Sequence, residues 1–420
     1  MSKNKKKKKL KKVSIKQKLE KYIYPSVIFG LMMAGFNYIF LIFSLYSPEY
    51  TGIYIKIFDN VVIDVLLNTA FDFIIFAGAF LIDCYLLLEV VAFKNKEWKL
   101  FFLFFNYEII LVVNDMKILC LGHISYDITF PVKEFITENK KIRVNSRVEC
   151  GGGPASNAAY LLGKWDSEVY IAGLIGNDVY GQKIIEEFKS VNVDTTYLEV
   201  RDDYKTSNSI IINNTSNSSR TILSYRDKDA EINPINLNFD PDIILIDGHE
   251  VKESNRLLDK YPNAISIIDA GRATEDVIKL AKKVNYVVCS REFAEEVTGI
   301  TINYEEESTI IKLYHELERI FQGIIVVTLE SKGALYKYNG NIGIMDGLKV
   351  NAVDSTGAGD LFHGAFTYGI SKCYDLNTVL TIATVAGGIS VERIGGRNSA
   401  ATKEEMRMYI HDFEWCYIYW

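Results

Sequence analysis

The segment Asp354–Asp360, with the sequence DSTGAGD, holds the residues whose types and spacing most clearly indicate chemistry. Successive small residues let backbone N–H groups approach a ligand closely. A helical pattern follows, so these amides are expected at a helix N-terminus, where the dipole favours anions. A carboxylate there repels phosphate, but it can take the proton from an attacking hydroxyl. We therefore interpret Asp360 as a general base beside an anion hole formed by Gly357, Ala358 and Gly359. In a plain glycine-rich turn, Asp360 would only cap the helix.

Two earlier motifs are typical of a substrate site. Gly151, Gly152 and Gly153 precede a helix that starts with a proline, and Asn157 in that helix can hydrogen-bond sugar hydroxyls. Asp127 follows the first predicted strand, at the carboxyl edge where ligands of open α/β sheets bind, and it can accept two hydrogen bonds from a diol. Each motif alone is weak evidence for a substrate site. A tight turn would also explain the three glycines, and a capping role would also explain Asp127.

The elements that must position these residues alternate along the chain. Short apolar, β-branched runs lie between helical patterns, which predicts a mostly parallel sheet covered on both faces. The predicted strands are 117–121, 169–173, 243–247, 265–268, 286–289 and 324–328. The predicted helices are 154–165, 180–190, 252–260, 274–283, 291–298 and 306–321. Residues 140–150 and 208–226 break this alternation with half-polar strand patterns, and they predict a β flap over the site.

The charge distribution divides the 420 residues into two parts. Residues 1–115 carry 15 Lys, no Arg and 10 acidic residues, whereas the remainder is acidic. Overall, 49% of residues are apolar and 24% are charged, which excludes a disordered or collagen-like chain. Six scattered Cys without a CxxC pair indicate a reducing compartment and no structural zinc.

The basic N-terminal part predicts a membrane segment. The Lys-rich stretch 1–21 is interpreted as the cytoplasmic flank of a membrane helix rather than as a nucleic-acid tail, because residues 22–47 contain no charge and are long enough to span a bilayer. A second span is predicted at about 65–92. Lysines on one side of both spans place the two ends of this hairpin in the cytoplasm. Residues 1–115 are either a genuine fusion or a neighbouring reading frame joined to the gene.

Residues 116–420 resemble the ribokinase/PfkB family of sugar kinases over essentially their whole length. The resemblance rests on Gly152-Gly153 with Asn157, on the later DSTGAGD segment, and on the intervening stretch 173–181, GLIGNDVYG. It implies a three-layer α/β/α sandwich with a small β lid, whose strands are expected at about 124–150 and 206–226. It also implies transfer of the γ-phosphoryl group of ATP to a sugar hydroxymethyl group.

The resemblance also assigns roles to individual residues. It implies that Asp360 is the base, that Asp127, Gly152, Gly153 and Asn157 bind the substrate, and that Asp354 is the acid associated with a monovalent cation such as K⁺. Nucleotide contacts are expected at Thr328, Ser290 and Gly333. ATP and Mg²⁺ are the expected cofactors, a homodimer through the lid is expected, and nucleic acid is not an expected partner.

Two departures from the family pattern concern the nucleotide side. The family's N-x-x-E motif, which organises magnesium, is Ser290-Arg291-Glu292-Phe293 here, and a family glycine beside the phosphates is Glu330. The sequence therefore leaves three hypotheses. The chain is a membrane-attached sugar kinase with its kinase domain in the cytoplasm, a nucleoside kinase of the same fold, or a non-catalytic, membrane-tethered sugar or nucleotide sensor.

Overall fold

The computed structural model describes residues 116–134, 136–227 and 229–410. The chain divides into two units, Met1–Asn114 and Asp115–Trp420, and every described residue belongs to the second. The predicted Lys-rich stretch and membrane spans lie outside the described residues. Within the described part of the chain, no helix is long and apolar enough to cross a membrane.

A nine-stranded sheet forms the centre of this unit, in the order β13-β12-β11-β10-β9-β8-β1-β4-β5. The seven strands from β11 to β5 run parallel, and β12 and β13 extend one edge as an antiparallel hairpin. The strands are β1 Ile118–Leu121, β4 Val169–Gly176, β5 Asp194–Arg201, β8 Ile243–Ile246, β9 Ile265–Ala270, β10 Tyr286–Ser290, β11 Ile324–Thr328, β12 Ala334–Tyr338 and β13 Asn341–Met345.

Helices cover both faces of this sheet. The described helices are α1 Pro154–Lys164, α2 Val179–Ser190, α3 Val251–Lys260, α4 Glu275–Ala281, α5 Arg291–Thr298, α6 Glu307–Ile320, α7 Ala358–Ser371, α8 Leu376–Ser390 and α9 Lys403–Ile410. Because successive side chains of a strand point to opposite faces, Ile118 and Cys120 of β1 join one apolar core with α1, α7 and α8. Leu119 and Leu121 join the other core, with α3 to α6. The three-layer α/β/α arrangement predicted from the sequence is confirmed.

A second, four-stranded sheet in the order β3-β2-β6-β7 forms the lid. Its strands are β2 Ser125–Val132, β3 Val148–Gly152, β6 Ser207–Asn214 and β7 Ser219–Tyr225. β6 and β7 pair as the predicted antiparallel hairpin, whereas β2 runs parallel to β6. The lid is therefore built from two distant stretches of the chain.

The structure differs from the predicted elements in three places. Residues 140–147, predicted as lid strand, are irregular, and only Val148–Gly152 pairs with β2. Strands β5, β12 and β13 were missed because their outward faces are polar or exposed, so they lack the continuous apolar run of a buried strand. The sequence also predicted no element between 328 and the DSTGAGD segment, whereas β12, β13 and an irregular stretch, 346–353, lie before it.

Candidate active site

The DSTGAGD segment ends in the first turn of α7, as predicted. Gly357 caps the helix with φ of 76°, a left-handed conformation that glycine adopts without penalty. A Cβ atom at this position would lie 2.7 Å from the Cα of Gly396, so the close packing of two loops also requires glycine there. Asp360 follows in the first helical turn, half-buried, beside the N-terminal amides of a fourteen-residue helix.

Asn157 and Asp360 meet at this helix end. The Nδ2 amide of Asn157 donates a hydrogen bond to Oδ2 of Asp360 at 2.7 Å, although the residues are 203 positions apart. Asn157 is buried in the first turns of α1, which packs against α7. The early glycine motif and the late DSTGAGD motif therefore form one site. The Asn157 amide, predicted to bind substrate, is at least partly engaged in holding Asp360.

Arg397 fixes the orientation of the Asn157 amide. This fully buried arginine lies in a short 3₁₀ turn, Arg397–Ser399, and its Nε donates to Oδ1 of Asn157 at 3.4 Å. With its oxygen facing the guanidinium, Asn157 presents its NH₂ group to Asp360. Arg397 also pairs with Glu187 at 2.9 Å and packs over the ring of Phe188. The sequence gives no sign of this role, because an isolated arginine carries no local pattern.

Asp127 lies in the lid strand β2 rather than in the loop after β1, where the sequence placed it. Its Oδ1 accepts a hydrogen bond from the Ser125 hydroxyl at 3.0 Å. A Cβ atom on Gly152 would lie 2.1 Å from Oδ2 of Asp127, so only glycine lets β3 pass beside this carboxylate. Burial raises the pKa of Asp127 to about 6, while hydrogen bonds from Ser125 and Ser209 oppose the rise.

The environment of Asp360 suits a base. Burial raises the pKa of its carboxyl group above the ordinary range, and the charge of Asp247 acts in the same direction. The hydrogen bond from Asn157 and the charges of His363 and Arg220 act against this rise. A carboxylate with a raised pKa accepts a proton more readily than an exposed one, while the opposing contacts favour the ionised form that a base requires.

Asp247 is a second site residue that the sequence analysis missed. It follows β8 directly and is buried, and its Oδ2 accepts the backbone N–H groups of His123 at 2.8 Å and Ala155 at 3.2 Å. It thereby joins the end of β1 to the start of α1. Burial acts to raise the pKa of Asp247, but His249, with Nδ1 at 3.1 Å, and other donors lower it to about 2. The signal available in the sequence was an aspartate directly after the apolar run IILI.

The lid hairpin contacts the stretch that leads into the DSTGAGD segment. Asn213 donates to the carbonyl of Val353 at 3.2 Å, and the Ser218 hydroxyl donates to the carbonyl of Ala352. Arg220 of β7 donates to the Ser355 hydroxyl. The lid therefore brings a guanidinium group close to Asp360, and its positive charge acts to lower the pKa of that carboxyl group.

The three residues expected to contact the nucleotide lie together at the carboxyl ends of β10 and β11. Ser290 and Thr328 are register partners in the sheet, and Gly333 follows the 3₁₀ turn Glu330–Lys332. The Ser290 hydroxyl caps α5 by accepting the N–H of Phe293 at 3.0 Å. The Thr328 hydroxyl donates to the carbonyl of Cys289 at 3.3 Å. Both side chains thus have local partners in this structure.

The two departures from the family pattern contact each other. Nε of Arg291, inside the altered motif, lies 3.2 Å from Oε1 of Glu330. Glu330 has φ of 48°, a left-handed conformation that explains why glycine is the usual residue there. The ion pair partly neutralises the carboxylate that would otherwise repel phosphate.

Ser290 and Phe293 occupy the two positions that carry Asn and Glu in the family's magnesium motif. Phe293 is fully buried and Glu292 is exposed, and no group of three or more His, Cys, Asp or Glu side chains in the described ranges is arranged to hold a metal. Asp354 is buried, with Oδ1 accepting the Thr356 hydroxyl at 2.7 Å and Oδ2 accepting the Gly395 N–H at 2.9 Å. Oδ1 also accepts the backbone N–H of Thr356 at 3.0 Å, so the donors to Asp354 in the described part of the chain are neutral.

Comparison with known proteins identifies the family. The pfkB family carbohydrate kinase profile matches residues 115–403. The ribokinase of Lactococcus lactis is 22% identical over 316 residues, covering 71% of this chain and 98% of its own length. The bifunctional protein HldE of Helicobacter hepaticus is 28% identical over 288 residues, covering 62% of this chain and 56% of its own.

Solved structures show the same fold. A putative ribokinase from Agrobacterium tumefaciens superposes with a TM-score of 0.64 at 22% identity, covering 71% of this chain and 99% of that one. The Arabidopsis thaliana ribokinase complexed with ribose and ATP gives a TM-score of 0.58 at 18% identity, covering 70% of this chain and 98% of that one. The chain therefore belongs to the pfkB family of carbohydrate kinases, and it is an ATP-dependent carbohydrate kinase.

Proposed function

We propose that this kinase phosphorylates the hydroxymethyl group of a sugar by in-line transfer from ATP, with Asp360 as the general base. The observation that carries the proposal is the 2.7 Å hydrogen bond between Asn157 and Asp360 at the N-terminus of α7. It brings a carboxylate with a raised pKa, a set of helix N-terminal amides and the glycine motif into one place. These are the parts that phosphoryl transfer to an alcohol requires.

In the proposed reaction, the sugar lies between the lid and α7. Asp127 and the backbone at Gly152 and Gly153 bind its hydroxyl groups and direct the hydroxymethyl group at Asp360. As the oxygen attacks, Asp360 takes its proton, and the amides of residues 357–359 stabilise the negative charge on the transferring group. The lid excludes water, which limits hydrolysis of ATP.

ATP is proposed to lie along the carboxyl ends of β10 and β11, near Ser290, Thr328 and Gly333. Magnesium, when bound with ATP, would neutralise charge on its phosphates, and in the altered stretch 290–293 only the exposed Glu292 offers a carboxylate. We also propose Asp354 as a ligand of a monovalent cation, because its carboxylate is buried among neutral donors.

The substitution Asp360→Asn tests the reaction. The amide keeps the shape of the side chain but cannot accept a proton, so kcat should fall by about 10²–10⁴-fold while the binding of ATP and sugar is retained. The matched control is Asp259→Asn, an exposed aspartate on α3 whose carboxylate pairs with Lys283. A loss well below tenfold in Asp360→Asn would contradict the assignment of the base.

A panel of sugars and nucleosides distinguishes the two enzyme alternatives. Turnover on a sugar supports the proposal, and turnover on a nucleoside alone would make the chain a nucleoside kinase. Binding of either ligand without turnover would contradict the proposed reaction and leave the sensor hypothesis.

We further propose that residues 22–93 attach the kinase to a membrane, with the kinase domain in the cytoplasm. The basis is the uncharged run 22–47 and the lysines on one side of both predicted spans. Protease added to spheroplasts should leave the kinase domain intact. Digestion from outside would contradict this topology.

A further inference from the structure

The ion pair between Arg291 and Glu330 crosses the edge of the sheet along which ATP is proposed to lie. Arg291 is the first residue of α5, directly after Ser290 at the end of β10, and Glu330 begins the 3₁₀ turn that follows β11. Because β10 and β11 are neighbouring parallel strands, the 3.2 Å contact from Nε to Oε1 joins their carboxyl ends. The reaction proposed above assigns no role to either residue.

The stability of the fold does not account for this pair. Glu330 has φ of 48°, a left-handed conformation that costs more free energy for a residue with a side chain than for glycine. The side chain of Glu330 is 61% exposed and that of Arg291 is 30% exposed. An ion pair in contact with water typically contributes less than such a conformation costs. Backbone strain of this kind is typical of positions that bind a ligand.

A second carboxylate fixes the guanidinium group of Arg291. Oε1 of Glu295, one turn later on α5, lies 3.7 Å from Nη1 of Arg291. The same oxygen accepts the backbone N–H of Ile302 at 2.8 Å, so Glu295 is itself held in place. Glu330 contacts Nε and Glu295 contacts Nη1. Since a guanidinium group carries five N–H donors, these two contacts leave donors for a further acceptor.

We propose that Arg291 binds a phosphate group of the nucleotide with the donors that Glu330 and Glu295 leave unused. This inference rests on the proposed position of ATP at the ends of β10 and β11. A guanidinium group forms strong, charge-assisted hydrogen bonds to phosphate oxygens. Arg291 would thus supply a phosphate ligand within the stretch whose family pattern is altered. Glu330 places a negative charge near the same phosphates and weakens their binding.

In a simpler arrangement, Arg291 only neutralises the charge of Glu330. The guanidinium group then makes no contact with the nucleotide, and it becomes dispensable once the carboxylate is removed. The substitution Glu330→Gly separates the two arrangements. Glycine adopts the left-handed conformation without penalty, so this variant should retain the fold.

The test measures the binding of ADP and of adenosine to the full chain by calorimetry, without sugar. Four proteins are compared: the wild type, Arg291→Gln, Glu330→Gly and the double variant. We expect Arg291→Gln to raise the Kd of ADP by about tenfold or more in both backgrounds, and to leave the Kd of adenosine unchanged because adenosine carries no phosphate. Glu330→Gly alone should lower the Kd of ADP.

Two results of this comparison would overturn the inference. In the first, Arg291→Gln weakens ADP binding only while Glu330 is present, which would make the arginine a neutralising partner and nothing more. In the second, Arg291→Gln weakens adenosine binding as much as ADP binding, which would place the effect away from the phosphates.

A nearby lysine provides the control for charge. Lys332 follows Glu330 by two residues, and its Nζ lies 5.6 Å from the centre of the Tyr304 ring. Lys332→Gln removes the same charge from the same turn, and it should change the Kd of ADP much less than Arg291→Gln does. An equal loss would show that the effect is a long-range one of net charge, and it would overturn the inference. Arg319→Gln on α6, an exposed arginine paired with Glu316, should match the wild type.

Failure of the proposed function gives different results. If ATP lies elsewhere on the protein, neither Arg291→Gln nor Glu330→Gly changes the Kd of ADP, and this inference fails with the proposed nucleotide position. If Asp360 is not the base, Asp360→Asn keeps its turnover. The binding measurements are unaffected in that case, because they require neither sugar nor phosphoryl transfer.

Discussion

At the residue scale, the proposed base is held by a chain of contacts that begins in the C-terminal part of the described structure. Arg397 orients the Asn157 amide, and that amide binds Asp360. Asn157 could be predicted as a site residue from its motif, but its partner could not, because contacts between residues 203 positions apart leave no local pattern. Arg397 had no local signal of any kind.

We expect Asn157→Asp to move the titration of the base. The new carboxylate would lie at hydrogen-bonding distance from Asp360, and two like charges that close cannot both ionise readily. The pKa of Asp360 rises, so the acid limb of kcat/KM should shift upward by more than about one unit. The matched variant Asn157→Ala removes the hydrogen-bond donor without adding a charge, and it should shift the acid limb of kcat/KM less. Equal profiles for the two variants would contradict a direct contact.

Asp127 should govern the affinity for the sugar rather than the rate. As a carboxylate it accepts hydrogen bonds worth about 1.5–3 kcal/mol, so Asp127→Asn should raise KM for the sugar by roughly 10–100-fold with a smaller change in kcat. Since burial raises its pKa to about 6, the wild-type KM should increase as the pH falls through 6. The KM of Asp127→Asn should be flat across that window. A variant KM with the same pH dependence would assign the titration to another group.

At the element scale, the parallel core was more predictable than the parts that shape the site. Strands such as β8 and β10 are continuous apolar runs because helices cover both faces, and their positions follow directly from the sequence. The lid strand β2 was harder to recognise, because it follows β1 after a three-residue turn and pairs in register with β6, a strand that starts 82 positions later in the chain. The residue pattern alone therefore placed Asp127 at the carboxyl edge of the central sheet, whereas the lid range expected from the family resemblance, 124–150, includes it.

The contacts of the lid hairpin with residues 352–355 predict a role in excluding water. In Arg220→Ala, the hydrogen bond to Ser355 is lost and the hairpin is held less firmly over the DSTGAGD segment. We expect kcat for the sugar to fall by about tenfold or more, and hydrolysis of ATP per sugar phosphorylated to increase. Arg319→Ala, which removes an exposed arginine of α6, is the control. If Arg220→Ala hydrolyses no more ATP per sugar phosphorylated than the wild type, the lid does not depend on this contact.

At the scale of the whole molecule, every residue assigned to the site lies within Asp115–Trp420. A unit that closes its own cores should fold without a neighbour. We therefore expect a chain starting at Met116 to be monodisperse and as active per molecule as the full chain in detergent. Aggregation, or a fall in kcat of more than roughly tenfold (about 1.4 kcal/mol of barrier), would make residues 1–115 part of the working enzyme.

The position of β1 inside the sheet, between β8 and β4, has a consequence for how the protein is made. Its neighbour β8 begins 125 residues later in the chain, as the register of Ile118 with Ile243 shows. At a synthesis rate of about 5–20 residues per second, β1 leaves the ribosome roughly 6–25 s before that neighbour exists. During this interval a fully apolar strand has one hydrogen-bonding edge open, which is the kind of surface that recruits other chains or chaperones. Synonymous codons that slow translation between β1 and β8 should therefore lower the yield of soluble enzyme without changing its amino-acid sequence.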